Sequence, residues 1–304
     1  MHRIAVVLLL LLLCLPLLAA CGDEAAGGNR LDVVATTGQA ADFAHAVGGA
    51  RVRVTGLLQP NADPHEYELR PHDVRALAGA KLIVRSGGDL DDWLDDAIDS
   101  SGSDAPVITL ADSVRLDGDD PHWWQDPRNA IAAVEALRDG LIAADPRGAR
   151  TYRRNAAAYT RRLVRLDREV AACIAEIPES QRTLVTTHDA LGYYARRYGI
   201  RVVGAVIPSR STVAQPSAGE TAALVETIRR EHVKAIFAES SVNPDVEQAV
   251  ARDAGAKIGR ALWADTLGPQ GSDGATYADS IASNTAAIVD GLTGGAVSCR
   301  PAVR

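Results

Sequence analysis

What most limits the fold of this chain is a grammar of short apolar runs alternating with helical spans. It is spelled twice, once on each side of a long amphipathic segment. In the first half Leu31–Thr36, Arg51–Leu58, Ala80–Val84 and Val107–Leu110 read as strands, being short and rich in Val, Ile and Leu. Helices are expected over Gly38–Val47, Pro71–Leu77, Leu90–Ser100 and Asn129–Ala143. The second half repeats the pattern. Strands are expected at Thr183–Thr187, Arg201–Ile207, Ala235–Ala238 and Ala256–Leu262, with helices over Leu191–Tyr198, Ala218–Glu231, Asp245–Ala254 and Tyr277–Leu292. Strands separated by helices are joined by crossovers, and crossovers produce parallel pairing. The expected class is therefore α/β: two doubly wound lobes, each a mostly parallel sheet flanked by helices.

Between the halves, Pro146 to Ile177 carries Ala157, Leu163, Leu166, Val170 and Ile174 at three- and four-residue spacing, with Arg filling much of the opposite face. With no Gly after Gly148 and no Pro before Pro178, it reads as one helix of about 40 Å or more. A single long helix is a stiff connector and limits hinge closure. The expected organisation is an N-terminal lobe at 31–144, a connecting helix at 145–177 and a C-terminal lobe at 178–304.

Residues 1–20 read as a signal peptide: His2 and Arg3 precede an unbroken apolar run from Ile4 to Ala20. The run ends in Leu18-Ala19-Ala20-Cys21-Gly22, which resembles a bacterial lipobox and implies lipidation of Cys21. Residues 21–30 would be a Gly/Ala-rich tether. The expected location is extracytoplasmic, lipid-anchored to the outer face of the cell membrane. The net charge of -7 argues against a nucleic-acid partner, which wants a basic face. Of the four cysteines, Cys14 lies in the signal and Cys21 takes the lipid. Cys173 and Cys299 remain, and whether they pair is open at this level. Neither has the neighbouring thiol of a metal-binding CxxC.

Seven histidines are present. His2 is in the signal, while His45, His72 and His232 read as helix-surface or helix-start residues. His65, His122 and His188 share a different setting, each just beyond an expected strand or its loop. Residues past the carboxyl ends of parallel strands face the ligand crevice of open sheets. Imidazole is a favoured zinc ligand, so three such residues suit one metal; each taken singly also reads as a satisfied core histidine.

The surrounding motifs carry more. Asp63-Pro64-His65-x-Tyr67-Glu68, Asp120-Pro121-His122-x-Trp124-x-Asp126-Pro127, His188-Asp189-Ala190-x-Gly192-Tyr193, Phe237-Ala238-Glu239-Ser240-Ser241-Val242-Asn243 and Leu262-Trp263-Ala264-Asp265-Thr266-Leu267 resemble, in order, those of the zinc- and manganese-binding solute-binding proteins of ABC transporters, the TroA-like family. The resemblance implies His65, His122 and His188 as ligands, with Asp265 as an acidic fourth. His at the third position, where manganese-type members carry Glu, implies zinc, with Mn2+ the alternative; imidazole suits zinc and carboxylate suits manganese. It further implies a monomer with no enzymatic activity that delivers metal to an ABC permease. Glu239 is a candidate partner for a ligating imidazole N–H, or a cap for backbone amides. Glu66 and Asp189 rank below Asp265. Trp123 and Trp124 are expected to wall the site or pack between lobes. Two departures stand out: Leu116–Asp120 is acidic but lacks the His-rich loop of many zinc-type members, which removes grounds for a second metal site, and Leu69-Arg70 stand where the family usually has Pro. Two other readings are a lipid-anchored zinc hydrolase using Asp63, His65, His122 and His188, and a surface adhesion protein with a structural metal. Four protein ligands leave no open position for water, and no HExxH helix is present, both of which disfavour a hydrolase.

Overall fold

Leu31–Ala35 (β1) is the hub of the first sheet. It pairs in parallel with β2 (Val52–Gly56) on one side and β3 (Leu82–Arg85) on the other, and β4 (Val107–Thr109) continues beyond β3, giving the order β2-β1-β3-β4. The crossovers are α1 (Gly38–Gly48), α2 (Pro71–Gly79) and α3 (Trp93–Ser101), and α4 (Pro127–Ala144) follows the last strand. The starts of these helices are locally encoded. Thr37 accepts from the amide of Ala40 to cap α1, and Asp126 accepts from that of Arg128, with Pro127 in the first turn of α4. This computed structural model describes residues 30–303, so the expected signal peptide and Cys21 lie outside the described residues, as does the tether except for Arg30.

The second half repeats the order. β5 (Thr183–Thr186) pairs with β6 (Arg201–Ala205), and β7 (Ala235–Ile236) with β8 (Lys257–Ile258). A parallel bridge between Thr186 and Phe237 joins the pairs into β6-β5-β7-β8. Around them lie α6 (Gly192–Tyr198), α7 (Ala218–Arg230), α8 (Asp245–Ala254) and α9 (Tyr277–Thr293). Both sheets are wholly parallel with helices around them, as the alternation predicts.

Three elements differ from expectation. β7 and β8 are only two residues each, and their edge is interrupted near Gly259, where an added Cβ would come within 2.6 Å of the Phe237 ring. Pairing resumes at a Glu239–Leu262 bridge, which places Asp265 close to Glu239 along the chain path. The helix expected from Leu90 starts instead at Trp93. The buried Asp91 carboxylate accepts from the amides of Ser86 and Gly87, and Gly87, Gly88 and Asp89 take left-handed conformations to make the turn.

The connecting segment opens with a tight turn at Pro146–Gly148 and continues as α5 (Ala149–Ala175), about 40 Å of helix. α5 packs on α1, α4 and α9, so the last helix of the chain lies against elements of the first half. The largest apolar cluster is continuous across both halves: Phe43, Leu137, Leu163, Leu184, Leu262 and Ile288 all belong to it. Cys173 on α5 and Cys299 in the tail form a disulfide with a Cα–Cα distance of 5.5 Å, which answers the question left open by the sequence. Since the bond closes a span of 126 residues, replacing both cysteines with Ala should cost about 2–5 kcal/mol of stability. Denaturant unfolding of the variant beside the oxidised parent measures it.

Candidate metal centre

Each chemically interesting side chain sits in a loop at the carboxyl end of a strand, and each loop is built by local rules. Past β2, Asp63 accepts from the amide of His65 at 2.9 Å and Pro64 starts a single 3-10 turn, Pro64–Glu66, that carries the imidazole. The Asp-Pro-His pattern recurs past β4, where Asp120 accepts from the amide of His122 at 3.1 Å ahead of the turn Trp123–Gln125. His188 lies just past β5, whose residues are all buried. Asp265 follows Leu262 past the interrupted edge of β8. Its approach is pinned from three directions. Trp124 Nε1 and Gln125 Nε2 both donate to the carbonyl of Ala264, at 3.0 and 2.7 Å, and Asn284 on α9 bonds both the amide and the carbonyl of Trp263.

These four loops converge. One ligand atom from each of His65, His122, His188 and Asp265 lies within 4.8 Å of the others. Asp265 Oδ2 is 3.2 Å from His65 Nε2 and 3.1 Å from His188 Nε2, and Oδ1 is 3.5 Å from His122 Nε2. The two inner imidazoles approach to 3.2 Å, Nε2 to Nε2. His122 and His188 are fully buried and Asp265 nearly so, while the His65 side chain keeps 9% exposure. A cleft of about 650 Å³, lined among others by His65, Tyr67, Asp89, Asp189 and Arg210, reaches the centre at His65.

The outward nitrogens explain why the inward ones point as they do. His188 Nδ1 lies 2.7 Å from Glu239 Oε1, and His122 Nδ1 lies 2.8 Å from Asp120 Oδ1. A carboxylate at Nδ1 holds the proton there and leaves the Nε2 lone pair facing the centre, the arrangement that supports metal ligation. Glu239 also accepts from the amide of His188 at 3.3 Å, so it both caps the backbone and orients the ring. Trp124 stands edge-on to His122 at 5.5 Å and forms a wall of the centre; Trp123 is buried behind it.

Electrostatically the centre is built around a buried negative charge. Burial opposes ionisation of Asp265, but His188 and His122 outweigh it and hold its carboxyl well below the usual range. Burial likewise opposes protonation of His188, yet the Asp265 and Glu239 carboxylates hold its pKa well above the ordinary imidazole value. Both Asp265 oxygens lack a directed hydrogen bond, as does His65 Nε2. The short separations from Asp265 to the imidazoles are those of ion pairs without hydrogen-bond direction.

The remaining sequence candidates fall elsewhere. Asp63, a ligand in the hydrolase reading, turns away and accepts from the amide of His65 and the hydroxyl of Thr212. Glu66 is exposed and Asp189 half-buried in the cleft wall. His45, His72 and His232 are exposed, in keeping with their expected surface positions. Asp120 is a functional neighbour that sequence reasoning passed over. Its signal was the repeated Asp-Pro-His spacing, in which an Asp two residues before His caps the His amide. In the metal-free protein, Asp265→Asn removes the principal charge that favours protonated His188. The His188 pKa should fall towards the ordinary value of about 6.5, as an NMR titration of its ring would report.

Comparison with known proteins places the chain in a family. A sequence profile of the family described as zinc-uptake complex component A, periplasmic (ZnuA), matches residues 33–291. The manganese-binding lipoprotein MntA of Halalkalibacterium halodurans is 31% identical over 285 residues, 90% of this chain and 94% of that protein. The protein of the same name from Bacillus subtilis is 32% identical over 292 residues, 90% of this chain and 95% of its own length. Among solved structures, the periplasmic zinc-binding protein TroA from Treponema pallidum superposes with a TM-score of 0.82 at 28% identity, covering 87% of this chain and 99% of that one. Matched in sequence and fold across both halves, the chain belongs to the ZnuA/TroA family of metal-binding substrate-binding proteins of ABC transporters.

Proposed function

We propose that this protein captures one divalent metal ion outside the cytoplasm, zinc in preference to manganese, with His65, His122, His188 and Asp265 as ligands, and delivers it to an ABC permease. The observation that carries this reading is the Asp265 carboxylate: buried, ionised, without a directed hydrogen bond, and faced by three imidazole nitrogens. A buried charge paired only with imidazoles that offer it no directed hydrogen bond keeps part of its desolvation cost. A cation bound among these donors removes that cost and accepts all four lone pairs at once.

Three nitrogens and one carboxylate oxygen make a zinc tetrahedron at about 2.0–2.2 Å per bond. Relatives bear names for both metals, so the choice of zinc rests on the donor chemistry, above all on imidazole at position 188. Four protein donors suit retention of an ion rather than activation of water, which supports a binding protein rather than a hydrolase. The relatives named as lipoproteins support anchoring through Cys21. The reading takes the lobes at 31–144 and 178–304, the connector at 145–177 and the monomer as the working unit.

Isothermal titration of the mature protein should give one zinc per chain, and His188→Ala should weaken binding by at least about tenfold. Wild-type affinity in that variant would remove His188 from the ligand set. His188→Glu should narrow the zinc-over-manganese ratio, because it substitutes a hard oxygen for a nitrogen. A cell lacking the gene should need added zinc to grow, and should be rescued by the wild-type protein but not by His188→Ala.

The pH dependence has a definite sign. The metal must displace the proton that Asp265 and Glu239 stabilise on His188, so binding releases protons and weakens with acidification. Because that pKa is raised, affinity should still be climbing with pH well above about 6.5, the midpoint at which an ordinary imidazole loses its proton. Titrations in buffers of differing ionisation enthalpy count the protons released; an affinity that stays flat from about pH 6 to about pH 8 would contradict this assignment.

A further inference from the structure

The two supporting aspartates, Asp63 behind His65 and Asp120 behind His122, are held by one short loop from the other half of the chain. Thr212 Oγ1 donates to Asp63 Oδ2 at 2.6 Å. Arg210 Nη1 lies 3.1 Å from Asp120 Oδ2, and Arg210 Nε 3.2 Å from Asp119. Each aspartate turns its other oxygen to its histidine: Asp63 Oδ1 takes the amide of His65, and Asp120 Oδ1 takes both the amide and Nδ1 of His122. The same loop is tied to the strand end that carries the third histidine. The amide of Ile207 donates to the carbonyl of Thr187 at 2.7 Å, and that of Asp189 to the carbonyl of Ser209 at 2.9 Å.

On this geometry, and resting on the metal-capture reading, we propose that Arg210 and Thr212 are positioning residues. They orient His65 and His122 through Asp63 and Asp120, and so set how long the captured ion is retained. The physical reason is the state of the two aspartates. Asp120 is almost fully buried, so one oxygen left without a partner would be an uncompensated charge. Without Arg210 it would turn to find another donor and give up the imidazole N–H. Thr212 is itself buried, and its hydroxyl faces the Asp63 oxygen that does not hold the His65 turn. Neither residue touches the four donors. Their effect therefore falls on the orientation of the ligands and not on their number. The loop borders the cleft that reaches His65, and Ser209, Arg210 and Ser211 form part of its wall. Displacement of this one segment loosens two ligands from the first half and opens the route past them.

The test is zinc release from the loaded full-length mature protein into excess chelator, followed by stopped flow, for Arg210→Ala and Thr212→Val. Each variant should still bind one zinc, release it at least about tenfold faster, and show a smaller zinc-induced rise in melting temperature, measured from its own metal-free value, than the parent does. Arg210→Lys, which keeps a cation opposite Asp120, should recover part of the slow release. Release at the parent rate from both variants overturns the proposal. So does an equal fall in the melting temperatures of the metal-free and zinc-loaded forms, which marks a purely structural loop. A parent protein that takes up no zinc removes the capture reading, and this proposal with it.

Discussion

The structure depends on the ionised Asp265 carboxylate held inside the protein with three imidazoles around it and no directed hydrogen-bond donor. In water such a group is fully solvated; here its solvation is replaced by imidazoles supplied from three other loops. That replacement works only while the loops keep their places, so much of the surrounding architecture is concerned with holding backbone. Trp124 and Gln125 grip the carbonyl before Asp265, Asn284 grips the residue before that, and Asp63 and Asp120 grip the amides of two histidines.

The grips of Trp124 and Gln125 run between the two halves of the chain, and the packing behind them agrees. α5 is lined on one side by an apolar stripe that joins a core shared by both sheets, α9 returns from the second half to lie against it, and the Cys173–Cys299 bond ties the tail to it. A shared, close-packed core resists large relative movement. Release of an ion from such a frame is more readily achieved by small displacements of loops than by opening of the whole, which directs attention to the segment around Arg210 and Thr212.

The alternation of strands and helices was legible because periodicity is written in local residue order: β-branched runs, caps such as Thr37 and Asp126, and prolines in first turns all act within a few residues. The places where the reading slipped are those where distant contacts overrule local preference. β7 and β8 read as four and seven residues of strand, yet each is two residues long, and beyond Gly259, which faces the Phe237 ring closely, the pairing resumes only at the Glu239–Leu262 bridge. Leu90 looked like a helix start, but Asp91 draws the amides of Ser86 and Gly87 into a turn instead. Among the site residues, Glu239 could be nominated from its strand-end position, whereas Asp120 was visible only as part of a motif. The sequence offered no signal that Arg210 and Thr212 belong to the same neighbourhood, because the Thr212–Asp63 contact spans 149 residues.

By itself, then, the sequence determined the class of fold, the long connecting helix and the identity of three strand-end histidines, since each follows from the chemistry of a short window. Only the tertiary structure decided that the histidines and Asp265 meet within 4.8 Å, that Cys173 and Cys299 pair, and which groups hold each imidazole in place. The physical reason is that convergence is a property of how two sheets are packed and bridged. No residue's intrinsic preference records where a loop more than a hundred positions away will lie.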